Sequence, residues 1–91
     1  GVFPLVEEVT NLGGVAVVHD PLYTNDELAE LGLIGFQLGE QCDAAIVQTD
    51  HTIYAELSSS DLPGAEIIFD GRRIVDEEKL FPIRVQVLGI G

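Results

Sequence analysis

Positive charge is what this sequence has least of. Four Lys and Arg side chains stand against sixteen Asp and Glu, giving a formal net charge of −12. Nucleic-acid binding needs a basic footprint to neutralise phosphates, so the composition argues against it, and against attachment to anionic membrane surfaces. An anionic small ligand is admissible only with local help, from an Arg fork, backbone N–H groups or helix N-termini. The acid excess also serves solubility. Cysteine is nearly as scarce: Cys42 stands alone, which excludes an internal disulfide and fits a reducing compartment. No apolar run approaches the roughly 20 residues of a bilayer span. The first residues lack the basic segment of a signal peptide. A soluble, cytoplasmic protein is expected. Repeats, linkers and low-complexity tracts are missing, and so is the G-x-G-x-x-G turn, which argues against dinucleotide binding by this segment alone.

What is present suits one small α/β domain spanning residues 1–91. The apolar content is 46%, ordinary for a globular fold. A chain of this size buries somewhat over about 60% of its unfolded surface, so modest stability is expected. Leu5, Val9 and Leu12 share one face of a first helix. Pro4 suits its first turn, Glu7 and Glu8 are expected near its N-terminal dipole, and Gly13-Gly14 ends it. Val15-Ala16-Val17-Val18 reads as a strand covered on both faces and stops at Pro21. Thr24 and Glu27 form a capping box, followed by a short helix with Leu28 and Leu31 inward, which Gly32 terminates. Leu33 to Phe36 suits a short edge strand. Ala44 to Val47 is the next buried strand, and Thr49 or Asp50 is placed to cap a helix over His51 to Leu57, with Tyr54 and Leu57 inward. Ser58 to Asp61 starts a further turn. Glu66 to Phe69 is a buried strand, Val75 to Leu80 holds a helical turn that Pro82 breaks, and Ile83 to Leu88 alternates as an edge strand. Alternation of this kind predicts a three-layer α/β fold with a largely parallel sheet of about four to five strands; because such units normally begin with a strand and this one begins with a helix, a Rossmann-like fold truncated at its N-terminus is expected.

Three strand ends carry polar clusters: His19-Asp20, Thr49-Asp50-His51 and Asp70-Gly71-Arg72-Arg73. In a parallel sheet they fall along one edge, where ligands bind in open α/β folds. Arg72 and Arg73 are half of all the cations. A ligand-facing role for at least one of them competes with a plain salt bridge to a nearby acid. Asp70-Gly71 is a turn dipeptide, because Gly tolerates positive φ and Asp bonds its own backbone. His19, Asp20, Asp50 and His51 offer acid–base material but no nucleophile accompanies them. For His19-Asp20-Pro21 the competing reading is a strand terminator, and for His51 a helix-start residue. Cys42 reads as packing, and no metal-ligand spacing occurs.

In order, Val17-Val18-His19-Asp20-Pro21, Asp43-Ala44-Ala45-Ile46-Val47-Gln48-Thr49-Asp50-His51 and Phe69-Asp70-Gly71-Arg72-Arg73-Ile74 resemble the C-terminal, UDP-binding domain of the UDP-glucose/GDP-mannose dehydrogenase family. Leu5 to Gly13 resembles the helix that the family sets before its His-Asp-Pro strand. The resemblance implies a parent enzyme of polysaccharide biosynthesis that oxidises the C6 hydroxyl of a nucleotide sugar to a carboxylate with two NAD⁺. It implies a homo-oligomer in which NAD is bound mainly by domains absent here. It also implies that Arg72 contacts the nucleotide sugar, with Arg73, Asp70 and Gly71 beside it. The motif positions His19, Asp20, Asp50 and His51 would shape the edge of the site. Cys42 does not match the family's catalytic cysteine. The domain's first strand, and the loop after it that carries a lysine and an arginine, are not found. The chain thus resembles a fragment, inactive by itself, whose Val15–Val18 and Ala44–Val47 strands would flank a gap and pair with another chain or close up. The alternative is a stand-alone flavodoxin-like binding or assembly module without catalysis. UDP-glucose, UDP-N-acetylmannosamine and GDP-mannose all stay open as the sugar.

Overall fold

The computed structural model describes residues 2–88. The chain divides into two compact units, the division falling between Gln37 and Leu38, and each is taken by itself.

In the first unit, helix α1 (Val2–Asn11) turns Val2, Leu5, Val6 and Val9 to its half-buried side. Two details depart from expectation. The helix is described from Val2, so no acid lies in its first turn, and Glu7 and Glu8 sit mid-helix. Leu12 lies past the last turn and is 79% exposed. The ending is as the glycine pair predicts. Gly13 has φ 90, Gly14 N–H donates to the Val9 carbonyl at 2.9 Å and Gly13 N–H to that of Thr10 at 3.0 Å, a Schellman closure. Helix α2 (Asn25–Glu30) has the complete capping box: Glu27 N–H donates to Thr24 Oγ1 at 3.1 Å and Thr24 N–H to Glu27 Oε1 at 2.9 Å. Such a cap is worth about 1 kcal/mol. The same Schellman closure ends it at Gly32, whose φ is 80. Leu28 is buried, but Leu31, expected inward, is about half exposed.

The Val15–Val18 strand is reduced to one parallel bridge, Val18 with Gly35. Val18 N–H donates to the Ile34 carbonyl and Phe36 N–H to that of Val18, both at 2.7 Å. Val15 is 81% and Val17 41% exposed. An apolar run shows that a segment favours extended backbone. A strand also needs a ladder partner, and Leu33 to Phe36, the other expected strand, offers one only at Gly35. Leu28, Leu33 and Phe36 are the buried apolar residues of this unit.

The second unit holds the sheet. Strands β1 (Ala44–Val47), β2 (Ile67–Asp70) and β3 (Arg84–Val87) lie in that order, both pairs parallel. Val47 stands opposite Asp70, and Asp70 opposite Val87. The described residues thus make a small α/β fold with an open, all-parallel sheet of three strands, where four to five were expected. Middle strand β2 is the most buried, with Ile68 at 0% exposure. β3 exposes Arg84 and Gln86 and half-buries Val85, with Ile83 half-buried just before it, the alternation expected of an edge strand; Val87, expected inward, is 36% exposed. β1, expected to be covered on both faces, is an edge as well: Val47 is buried while Ile46 is 44% exposed.

The β1–β2 crossover uses two 3₁₀ turns, Thr52–Glu56 and Ser59–Asp61, in place of an α-helix over His51 to Leu57. Tyr54 and Leu57 are both buried, as expected. Their spacing of three residues suits a helix with three residues per turn. Ser58 and Asp61 close a capping box around the second turn. Helix α3 (Glu77–Leu80) starts at Asp76, whose Oδ1 accepts the Glu78 N–H at 2.9 Å, and delivers Leu80 to the core at 0% exposure. Lys79 Nζ meets Glu56 Oε2 at 2.7 Å, which raises the lysine above its ordinary value. No helix among the described residues is long and apolar enough to cross a membrane.

The packing yields a first test. Ile68→Ala in β2 is expected to destabilise the chain by about 2–5 kcal/mol, while Ile46→Ala, on the exposed part of β1, costs under about 1 kcal/mol. Urea unfolding followed by circular dichroism measures both; equal losses would contradict the assignment of β2 as the core strand.

Candidate functional site

The site is built where β2 leaves the sheet. Asp70, its last residue, is 1% exposed. Its Oδ1 accepts the Arg72 N–H and its Oδ2 the Val75 N–H, both at 3.0 Å. A buried carboxylate needs such partners, since burying it without them costs several kcal/mol. The two bonds in turn fix the path of residues 71–75. Gly71 N–H continues the ladder to the Val47 carbonyl at 2.9 Å. A Cβ at Gly71 would stand 3.0 Å from that oxygen, so the glycine is there for close approach to β1. The positive φ expected of the turn falls instead on Arg73, at 56°, a conformation that costs a non-glycine residue about 1–2 kcal/mol.

Arg72 reaches across to the segment that follows β1. Its Nη2 donates to Asp50 Oδ2 at 3.2 Å, and the two side chains are 49% and 68% exposed. Arg72 therefore makes a surface ion pair, the plainer of its two expected roles, worth about 0–1 kcal/mol in water, and about half of its side chain faces solvent at a strand end. Asp50 is thus spent on Arg72 and not on capping a helix. The cap position of the 3₁₀ turn falls to His51, which makes no side-chain cap bond. Its ring stands edge-on to Tyr54, centroids 5.8 Å apart at 75°.

The structure brings together Asp50, His51, Asp70, Gly71, Arg72 and Arg73 in the second unit. His19 and Asp20 belong to the first. There Asp20 Oδ1 accepts the Leu22 N–H at 2.9 Å and its carbonyl the Tyr23 N–H at 3.2 Å, the terminator role that the Asp-Pro step suggests. Both line a recess of about 410 Å³ with Tyr23, Asn25 and Gln37. These last three were not singled out from the sequence; the only trace of the recess there was the capping box that fixes the chain entering α2. Among the described residues, no three His, Cys, Asp or Glu side chains gather as a metal set. Cys42 is half-buried; burial first, then the charge of Asp43, pushes its thiol above the ordinary cysteine range.

No family model, curated protein or solved structure matches the chain.

Two measurements test this geometry. Asn at position 70 keeps the shape but offers one acceptor oxygen for two N–H groups. Asp70→Asn is therefore expected to lose about 1–3 kcal/mol and to speed hydrogen exchange at the Arg72 or Val75 amide; unchanged protection at both would refute the anchoring role. For Cys42, a raised pKa means less thiolate at any given pH. Iodoacetamide labelling at pH 7.5 is expected to run slower than for a free thiol and to keep rising at pH values where free cysteine has levelled off. A plateau at or below the free-cysteine pH would contradict the burial.

Proposed function

We propose that these residues form the nucleotide-sugar-binding portion of a cytoplasmic, NAD-dependent nucleotide-sugar 6-dehydrogenase, with a UDP-sugar as ligand and Arg72 as its contact. The observation that carries this reading is the position of Arg72. It stands at the C-terminal end of the middle strand of an all-parallel sheet, its backbone anchored by Asp70 and its side chain 49% exposed. Ligands of open α/β sheets bind at that end, and a planar guanidinium fork matches a diphosphate in two directions at once. The three ordered motifs support the same reading. In it, the three-stranded sheet is the lasting part of a three-layer, Rossmann-like arrangement.

The residues present do not fit NAD itself. The segment after β1 offers the exposed carboxylate of Asp50 and a 3₁₀ turn without a side-chain cap, where a dinucleotide pyrophosphate needs converging N–H groups. NAD and the catalytic cysteine belong, in this reading, to parts of the enzyme outside these residues, and the parent assembles as a homo-oligomer. What the present residues do is bind and orient. Asp70 holds the loop, Gly71 lets it lie against β1, and Arg72 carries the positive charge to the ligand. No proton transfer is assigned to His19, Asp20, Asp50 or His51.

Calorimetry with UDP tests the proposal. A charge-assisted bond lost in Arg72→Ala is expected to weaken binding by about 1.5–3 kcal/mol. Equal affinity of the two proteins for UDP would overturn it.

A further inference from the structure

We infer that Asp50 and Arg72 act together as a selector: the pair accepts a phosphate flanked by a hydrogen-bond donor and turns away a bare phosphate anion. The inference rests on the proposed role of Arg72 as the ligand contact. β1 and β2 run parallel with Val47 opposite Asp70, so the two segments leave the sheet side by side. Asp50 and Arg72 follow shortly after those residues and close to 3.2 Å. A guanidinium carries five N–H donors in a planar fork and no acceptor, whereas an ionised carboxylate carries acceptors alone. Anything that bonds Arg72 from solvent therefore meets the Asp50 carboxylate within a few ångströms.

Pyrophosphate gains from the first group and is repelled by the second. A nucleoside diphosphate meets the same repulsion but offsets it: its hydroxyl or imide N–H groups donate to Asp50 while its phosphates accept from Arg72. Both side chains are solvent-accessible, at 49% and 68%, so neither must be uncovered first. The net charge of −12 repels every anion through its long-range field. That field does not distinguish phosphates of like charge, which leaves the local pair to do so.

Asp50→Asn keeps the size of the side chain and removes its charge. The probes are UDP and inorganic pyrophosphate, titrated at physiological ionic strength against the whole chain and followed by the Gly71 amide resonance. The variant is expected to bind pyrophosphate roughly threefold to tenfold more tightly and UDP no more tightly than the wild type, so the preference for UDP falls by at least that factor. Equal shifts for both ligands, or no shift for either, would overturn the selector. If Arg72→Ala still weakens UDP binding, the proposed role of Arg72 survives that failure. A wild-type chain that fails to bind UDP at all would overturn both. Circular dichroism checks the fold of the variant, and Asp50→Ser takes its place should the spectrum change.

Discussion

A carboxylate that is 1% exposed has to be satisfied from within the chain, and for Asp70 the partners are the Arg72 and Val75 amides, one on each oxygen. Much else in the second unit depends on that arrangement. The residue before it in the inward alternation, Ile68, is at 0% exposure, so the strand cannot slide by one residue without exchanging its core side chain for an outward one. Among the described residues the ladder ends with the Gly71 N–H to the Val47 carbonyl and the Leu88 N–H to the Asp70 carbonyl. The carboxylate takes over as hydrogen-bond acceptor for the loop, and bonds of this charged kind are roughly twice as strong as neutral ones. The left-handed backbone of Arg73 is tolerated between those two anchored amides, because the loop is held on both sides of it.

Scarcity of cations shapes the surface. Of the four Lys and Arg in the chain, three have an identifiable place. Arg72 bridges the segments after β1 and β2. Lys79 joins α3 to the crossover turn through Glu56. Arg84 stands on the exposed face of edge strand β3, where a charged side chain discourages pairing with another sheet. The two ion pairs are solvent-accessible and add little to stability. Their effect is geometric: each sets one long side chain in relation to a neighbouring segment.

The elements that were legible in the sequence are those specified by local chemistry. The Gly13-Gly14 helix stop, the Thr24–Glu27 capping box and the Ala44–Val47 strand can be read from a few adjacent residues, and so can the two later strands, expected over Glu66 to Phe69 and Ile83 to Leu88 and found over Ile67–Asp70 and Arg84–Val87. What could not be read depends on partners distant in sequence. Val15-Ala16-Val17-Val18 and Ala44-Ala45-Ile46-Val47 are nearly indistinguishable as strings, yet one makes a single bridge and the other a full ladder. The difference lies in what is available to pair with each: Gly35 in one case, the whole of β2 in the other. In the candidate site, the Arg72 strand-end position was legible, and so was the chance of its pairing with an acid. The choice of Asp50 among sixteen acids was not, since it follows from the β1–β2 register. Asp70 was read as a turn former, and its burial came only with the packed sheet.

That register also explains why the crossover is not an α-helix. Thr49 or Asp50 is the expected N-cap for a helix over His51 to Leu57, and the side chain of Asp50, the residue next to His51, is engaged with Arg72 instead. The turn then begins at His51 (φ −57, ψ 132), whose side chain makes no cap bond. A missing cap costs a helix about 1 kcal/mol, a large fraction for one a few residues long, where nucleation is already unfavourable. Only Tyr54 and Leu57 are buried there, and a 3₁₀ turn stacks side chains three apart directly above one another. The tighter turn thus buries the same two side chains without the cap. The contact that orients the guanidinium and the irregularity of the crossover are two consequences of one commitment by Asp50.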